Sequence, residues 1–181
     1  MNSFYSTEEL MKLGFIAIGK NVLISKKASF YGIEHVIIGD NVRIDDFCIL
    51  SGNIKLGSNI HISAYCALYG TYGIEMEDYT GMSARCTILS ASDDFSGDFL
   101  LGPMTEKKLT NVTGGKVLIK KYSQLGVNCV VMPSLTIEEG VAVGAMSLIN
   151  KDLASWSIYI GIPVVKIKER SKKLLQFVEN K

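Results

Sequence analysis

The sequence has no excess of charge and no long apolar run. Its 181 residues include 19 basic and 18 acidic side chains, and the isoelectric point is near 7.6. A protein that grips a nucleic-acid backbone needs a surplus of Lys and Arg, which is missing here. No uninterrupted apolar stretch approaches the roughly 18 residues of a membrane span, and the N-terminal MNSFYSTEEL lacks the basic start and apolar core of an export signal. We therefore expect a cytoplasmic protein without nucleic-acid partners or membrane insertion.

Histidine and cysteine are also scarce. There are two histidines and four cysteines, and no pair of cysteines has the close CxxC-like spacing of a metal site or redox motif. Disulfides are rare in a reducing compartment. We therefore expect neither a metal nor a disulfide.

What the sequence does have is 48% apolar residues, which is enough for the full core of one domain spanning residues 1–181.

A six-residue repeat of large apolar side chains runs through most of the chain. Its eighteen positions are Ile18, Ile24, Phe30, Ile38, Ile44, Leu50, Leu56, Ile62, Leu68, Met76, Met82, Ile88, Ile119, Leu125, Val131, Ile137, Val143 and Ile149. A period of six fits neither an amphipathic helix nor simple strand alternation. It fits a short strand followed by a corner, with three such units closing one triangular coil. The repeat predicts an all-β protein, a parallel β-helix of about six coils.

The repeat also divides the chain. We expect an N-terminal cap at 1–16, coils at 17–154 with an extended loop at 89–118, and a C-terminal segment at 155–181. The interruptions follow Phe30, Leu68 and Ile88, and each of these is the third unit of its coil. Every insertion should therefore leave the β-helix from the same corner.

The cysteines share one position in the repeat, four residues after the apolar residue of the second face. The column consists of Ala28, Cys48, Cys66, Cys86, Cys129 and Ser147. Their side chains are small, so we expect them to stack inside the prism as a structural ladder.

Both open ends of a β-helix need a cover, because they expose unpaired strand edges and apolar interior. Ser6 and Glu9 have the spacing of a capping box and predict a short helix that runs to about Lys12 and closes near Gly14. After Pro163, the stretch VKIKERSKKLLQFVENK predicts an amphipathic C-terminal helix. Its apolar side would comprise Ile167, Leu174, Leu175 and Val178.

The hexads LGSNIHI, LGVNCVVMPSLTI and VGAMSLIN, followed by YIGIPVVKIKER, resemble those of the hexapeptide-repeat acyltransferases. The resemblance covers roughly residues 15–170 and is greatest to the sugar and xenobiotic acetyltransferase branch, the galactoside-acetyltransferase-like proteins. It implies a left-handed coil, a homotrimer and acetyl-CoA as the acyl donor. It also implies active sites between subunits, beside an extended loop that matches residues 89–118 in position.

The resemblance implies candidate catalytic residues, with one departure from the family. Many relatives have a catalytic histidine where this sequence has SASDDF, so that Asp93 stands in its place. His61 is the better candidate for a general base, oriented across the interface by Asp93 or Asp94 of a neighbouring subunit. Each has a structural alternative: a hydrogen-bonded corner residue for His61, and a turn at the loop start for the aspartates. An amine acceptor could also attack without any protein base.

Substrate contacts are predicted in the same way. Tyr65, Tyr69 and Tyr72 could line an acceptor pocket, although ordinary packing would also account for them. The family's donor-binding features match Gly126, Gly144, Ala145, Pro163, Lys166 and Arg170. Gln124 stands where relatives often have tryptophan. For the basic residues among them, the alternative is a solvated helix start.

We therefore expect a homotrimeric, acetyl-CoA-dependent acetyltransferase acting on a hydroxyl or amino group of a small carbohydrate, either a nucleotide sugar or a precursor in polysaccharide biosynthesis. The identity of the sugar and the choice between O- and N-acetylation remain open. A carbonic anhydrase on the same fold would need three metal-binding histidines, and only two exist. A catalytically inert trimeric scaffold is the non-enzymatic alternative.

Overall fold

The computed structural model describes residues 3–178, which form a parallel β-helix of six complete coils and a partial seventh. The first four coils contain β1 (Ala17–Ile18), β2 (Leu23–Ile24), β3 (Ser29–Tyr31), β4 (Val36–Ile38), β5 (Val42–Ile44), β6 (Ile49–Leu56), β7 (Ile60–Ile62), β8 (Ala67–Met76), β9 (Gly81–Met82) and β10 (Thr87–Leu89). β6 and β8 are long because each turns the corner from the third face of one coil into the first face of the next.

The later coils follow a long excursion at residues 90–116. The excursion contains β11 (Ala91–Ser92), a 3-10 helix (Lys107–Leu109) and β12 (Thr113–Gly114). Beyond it lie β13 (Val117–Ile119), β14 (Gln124–Leu125), β15 (Val130–Val131), β16 (Thr136–Ile137), β17 (Ala142–Val143), β18 (Leu148–Ile149), β19 (Ser157–Ile160) and β20 (Val165–Glu169). β8 pairs with β13 across the insertion, so the coil resumes in register.

The six-residue repeat places its apolar residues in the core, as predicted. Leu50 pairs with Leu68, and Ile88 pairs with Val131 across the excursion. All eighteen positions align with their counterparts in the adjacent coils. All are buried except Ile18 and Phe30, which are partly buried.

The corners of the coils are left-handed in backbone conformation. Within residues 3–178, twelve residues other than glycine have positive φ. Asn21, Asn41 and Asn59 occupy successive levels of the corner between the first and second faces, where asparagine tolerates this conformation best. Asn21 Nδ2 donates to Asn41 Oδ1 at 2.9 Å, and Asn41 Nδ2 donates to Asn59 Oδ1 at 3.3 Å. These side chains form a hydrogen-bonded ladder outside the core.

The cysteine column lies inside the prism, as predicted. All four thiols are unpaired and fully buried. The Sγ–H of Cys66 donates to the Ser83 carbonyl at 3.1 Å, and that of Cys86 donates to the Gly126 carbonyl at 2.9 Å. The hydrogen bond with Cys129, together with burial, raises the pKa of Cys86 to about 11. The column is therefore structural.

The predicted N-terminal helix and its capping box are confirmed. The helix, α1 (Thr7–Lys12), begins after Ser6, whose Oγ accepts from Glu9 N at 3.2 Å while its own N–H donates to Glu9 Oε2 at 2.7 Å. Gly14 has a φ of +96° just after the helix ends.

The predicted C-terminal amphipathic helix is wrong. Val165–Glu169 is a strand, antiparallel to β19, and only Lys173–Phe177 forms a short 3-10 helix. The alternating VKIKE pattern suits a strand, and pairing satisfies the open edge that β19 would otherwise expose. Residues 179–181 of the predicted helix lie outside the described part of the chain. No helix within residues 3–178 is long and apolar enough to cross a membrane.

Candidate functional site

The excursion is an ordered protrusion. At its base, β11 pairs antiparallel with β12, and farther out Leu100 bridges Thr110. Most of its large apolar side chains are exposed when only residues 3–178 are considered. The exposed ones are Phe95, Phe99, Leu100, Leu101, Met104, Leu109 and Val112. Phe95 is 82% and Met104 98% exposed, so these residues are available to another molecule.

The two predicted loop aspartates have different surroundings. Asp94 Oδ1 accepts from the Ser96 N–H at 2.7 Å, and Oδ2 accepts from Asn111 Nδ2 at 2.9 Å. Hydrogen bonds from Ser96 and Asn111 hold the pKa of Asp94 below its usual range. Asp94 thus shapes the start of the excursion. Asp93 lines a cavity of about 380 Å³ within the excursion, together with Ser92 and Lys107.

His61 projects outward from β7 and is half exposed. Its Nε2 lies 2.8 Å from Asp45 Oδ2, and Arg43 Nε donates to Asp45 Oδ1 at 2.7 Å. Burial raises the pKa of Asp45, but the hydrogen bonds from His61 and Arg43 outweigh it and leave this pKa below its usual value. An ionised Asp45 therefore orients the imidazole from within the same chain.

Sequence reasoning missed Asp45. Arg43 and His61 are partners in the parallel register of β5 and β7, and Asp45 follows at the end of β5. Arg43 and His61 are 18 residues apart, which is the length of one coil of three six-residue units. That spacing is a sequence signal that the two residues lie one above the other in adjacent coils. His61 and the loop aspartates have no mutual hydrogen bond among residues 3–178, since His61 lies on the second face and the excursion leaves the corner after the third. The pairing of His61 with Asp93 or Asp94 of a neighbour stays a prediction.

The three predicted tyrosines do not form one group. Tyr72 is at the base of the excursion, where its hydroxyl donates to the Val112 carbonyl at 3.2 Å and its N–H donates to Ser90 Oγ at 2.9 Å. Tyr69 is nearby, since its carbonyl accepts from the Ser90 N–H at 3.0 Å. Tyr65 is at a different corner, between the second and third faces, and is 54% exposed.

Among the predicted donor contacts, Gly126 is explained by coil stacking. A Cβ at Gly126 would lie 2.6 Å from the Ala145 N atom, so the next coil leaves no room for one. Ala145 itself is exposed. Beside it are Met146, 60% exposed, and Ile160, 44% exposed. The upper coils therefore present an open apolar strip.

Two of the donor-binding residues predicted near the C-terminus, Lys166 and Arg170, bond to other residues of the chain. Pro163 follows a cis peptide bond, and Lys166 forms an ion pair with Glu169. Arg170 Nη1 donates to the carbonyls of Tyr122 at 2.7 Å and Gly140 at 3.1 Å. Burial lowers the pKa of this guanidinium. Arg170 thus ties the C-terminal segment to the coils, and its contact with a phosphate stays a prediction.

No protein-family model matches the sequence. The chain is 40% identical over 171 residues to a dTDP-4-amino-4,6-dideoxy-D-glucose acyltransferase of Escherichia coli, covering 93% of this chain and 89% of that protein. It also matches AntD, an N-acyltransferase from Bacillus cereus, with 52% identity, a TM-score of 0.97 and coverage of 99% of this chain and 97% of AntD. This chain belongs to the dTDP-4-amino-4,6-dideoxy-D-glucose acyltransferase family.

The protein is therefore an acyltransferase with the hexapeptide-repeat fold. Crystal structures of AntD contain dTDP with coenzyme A, dTDP-4-amino-4,6-dideoxyglucose with coenzyme A, and dTDP with 3-hydroxybutyryl-CoA. A maltose O-acetyltransferase from Clostridium difficile is 21% identical with a TM-score of 0.60, which reflects a shared fold. Among residues 3–178, no group of His, Cys, Asp and Glu side chains could hold a metal ion.

Proposed function

We propose that this protein transfers an acyl group from an acyl-CoA to the amino group of dTDP-4-amino-4,6-dideoxyglucose or a similar nucleotide-linked amino sugar. The observation that carries the proposal is the 52% identity to AntD over 99% of the chain, together with the CoA and dTDP-sugar in AntD crystals. Of the two acceptor chemistries left open by the sequence, this favours N-acylation over O-acylation. Acetyl and 3-hydroxybutyryl are the two acyl groups to be compared.

The reaction joins the amine nitrogen to the thioester carbonyl carbon. A C–N bond forms and the C–S bond breaks, so the products are an amide and the CoA thiol. The proton lost by the attacking amine is transferred, directly or through water, to the departing thiolate. What the protein must supply is proximity, a route for that proton and donors for the oxyanion.

Donor binding is assigned to the apolar strip on the upper coils. Ala145, Met146 and Ile160 offer exposed apolar surface for the pantetheine arm and acyl chain. Pro163 and Lys166 would contact the adenosine end, while Gly126 and Gly144 keep the coil surface flat. These groups fit an acyl-CoA because an apolar strip ends near an exposed cation.

The base is assigned to His61. Asp45 at 2.8 Å holds one ring nitrogen and leaves the other free to accept a proton from the amine. Asp93 or Asp94 from the neighbouring excursion would complete the site. Should the amine attack without a base, these residues would serve only to position it.

The proposed assembly is a homotrimer. Its support is the exposed apolar surface of the excursion, which a neighbouring β-helix would cover. A cytoplasmic location belongs to the same proposal, because all four cysteines are unpaired as expected in a reducing compartment. A role in making surface-polysaccharide precursors would follow from the acceptor.

The test is incubation with dTDP-4-amino-4,6-dideoxyglucose and either acetyl-CoA or 3-hydroxybutyryl-CoA. We expect release of free CoA thiol and a dTDP-sugar whose mass increases by one acyl group. Omission of the amino sugar is the control for thioester hydrolysis. An inert scaffold would give no product with any donor and no thermal stabilisation by CoA.

A further inference from the structure

The outward side chains of the second face form a column with a gap in it. Strand pairing stacks Arg43 on His61, His61 on Gly81, and Gly81 on Gln124. Gly81 is the member of this column that has no side chain, so His61 and Gln124 lie on either side of it. We call this place the Gly81 gap.

The backbone does not require glycine at this position. Gly81 lies in β9, and its φ is outside the left-handed region. A Cβ at Gly81 would lie 2.6 Å from Gln124 Oε1, which is the far end of a flexible side chain that can swing aside. Glycine inside a strand costs stability and often marks a place where a ligand approaches closely. The Gly81 gap therefore suits a group that binds between the two flanking side chains.

Gln124 has a free hydrogen-bond acceptor beside the gap. Its Nε2 donates to the Leu125 carbonyl in a long hydrogen bond of 3.4 Å. A carbonyl oxygen only accepts, so this contact fixes the nitrogen on the backbone side and the oxygen toward Gly81. Gln124 is exposed, and no group within residues 3–178 donates to its Oε1. This oxygen is therefore available to a bound ligand.

His61 has a second free acceptor beside the gap. Its Nε2 lies 2.8 Å from Asp45 Oδ2. Asp45 is ionised and only accepts, so the neutral ring has its proton on Nε2 and its lone pair on Nδ1. The Gln124 carboxamide reaches the level of Gly81, one coil above His61. The two acceptors are therefore separated by about 4.8 Å, the spacing of neighbouring strands.

This separation matches what one amine needs. Two acceptors that each lie about 2.9 Å from one nitrogen, at a tetrahedral angle, are about 4.7 Å apart. A neutral primary amine has two N–H groups and one lone pair, so it can donate to both acceptors while its lone pair attacks the thioester. A hydroxyl has a single O–H and satisfies only one of the two acceptors.

We propose that Gln124 determines the specificity of the enzyme for an amine over a hydroxyl, by accepting one N–H of the acceptor while His61 accepts the other. The inference rests on the proposed function for the identity of the acceptor. During acyl transfer the N–H on His61 gives its proton to Nδ1, the C–N bond forms and the C–S bond breaks. The departing thiolate then receives that proton. The second N–H stays on the amide product, still bonded to Gln124 Oε1.

Three variants test this role. Gln124→Met keeps the length of the side chain but removes the acceptor. Gln124→Glu keeps an acceptor oxygen and serves as the rescue. The matched control is Gln176→Met, the same change at the only other glutamine of the sequence, which lies on the 3-10 helix near the C-terminus.

Each variant is measured with dTDP-4-amino-4,6-dideoxyglucose and with dTDP-6-deoxyglucose, which has a hydroxyl in place of the amine. The readouts are kcat/KM from release of the CoA thiol and the Kd of each acceptor by calorimetry without a donor. In Gln124→Met we expect kcat/KM and affinity for the amine to fall about tenfold, and those for the hydroxyl compound to stay within about twofold. Gln124→Glu should keep most of the preference, and Gln176→Met should behave like the parent.

Three results would overturn the inference. One is a Gln124→Met enzyme that prefers the amine as strongly as the parent does, which would leave acyl transfer itself intact. Another is an equal loss for both acceptors, which would give Gln124 a structural role. The third is a parent that shows no preference for the amine in either readout. A parent that binds the amine more tightly in a Gln124-dependent manner but acylates neither acceptor would support the inference and refute the proposed function alone.

Discussion

Replacing Gly39 by alanine tests the close stacking of the coils. A Cβ at Gly39 would lie 2.5 Å from the Gly57 carbonyl oxygen and 2.6 Å from its carbon. Both atoms belong to the backbone of the next coil. The strands on either side of Gly57 are hydrogen-bonded to neighbouring coils, so neither atom can move without displacing them. Overpacking of this kind costs about 3 kcal/mol, which exceeds the gain of up to about 1 kcal/mol from a stiffer unfolded chain.

Gly144 is the matched control because it has the same place in the repeat. Its Cβ would meet only side-chain atoms of Ile160, at 3.2 to 3.5 Å, and Ile160 is 44% exposed and able to move. The strain and the entropy gain should nearly cancel. We therefore expect Gly144→Ala to change the free energy of unfolding by less than about 1 kcal/mol.

The assay is thermal unfolding followed by circular dichroism at one fixed protein concentration, since assembly adds to stability. For a chain of this size, a loss of about 3 kcal/mol lowers the Tm by about 6–12 °C. A Gly39→Ala protein that melts within about 2 °C of the parent would refute the reasoning. An equal fall in Tm in Gly144→Ala would also refute it, because glycine would then be required at this position of the repeat for a reason other than close backbone contact.

Three further predictions follow from the same structure. His61→Asn should lower kcat on the true substrate at least about a hundredfold with little change in KM, and a kcat near that of the parent would refute the base assignment. Hydrogen bonds from Lys116 and Lys55 hold the pKa of Glu75 below its usual value in the folded protein. The ionised carboxylate therefore stabilises the fold at any pH above the pKa that Glu75 has in the unfolded chain. This stabilisation is lost as the pH falls through the lower pKa of the folded state. Glu75→Gln should therefore cost about 1 kcal/mol in urea unfolding at pH 7 and nothing near pH 3, and a pH-independent difference would contradict the ion-pair account. All four cysteines are fully buried, so a thiol reagent such as dithionitrobenzoate should label none in the native enzyme and four after unfolding, and rapid native labelling would contradict the column.

The coil architecture could be predicted because one physical constraint repeats. Each inward residue must be apolar, so a period of six appears directly in the sequence, and the breaks at Phe30, Leu68 and Ile88 mark the insertions. The left-handedness of the coil is implied by the family resemblance alone, because the spacing of residues carries no information on handedness.

The C-terminal segment could not be predicted from its own pattern. VKIKERSKKLLQFVENK fits an amphipathic helix, but the alternation of Val165, Lys166 and Ile167 also fits a strand. The choice depends on β19, whose open edge accepts β20. That edge belongs to the tertiary structure and leaves no mark in the local sequence.

The candidate site could be predicted only in part for a similar reason. The type of His61 and its place in the repeat mark it as a candidate, and its catalytic role stays a prediction. Its partner Asp45 comes from the preceding coil, and only the parallel pairing of β5 with β7 shows that they meet. The stacking of Phe47 on Tyr65 had a signal that could have been used, because both residues directly precede a cysteine of the buried column.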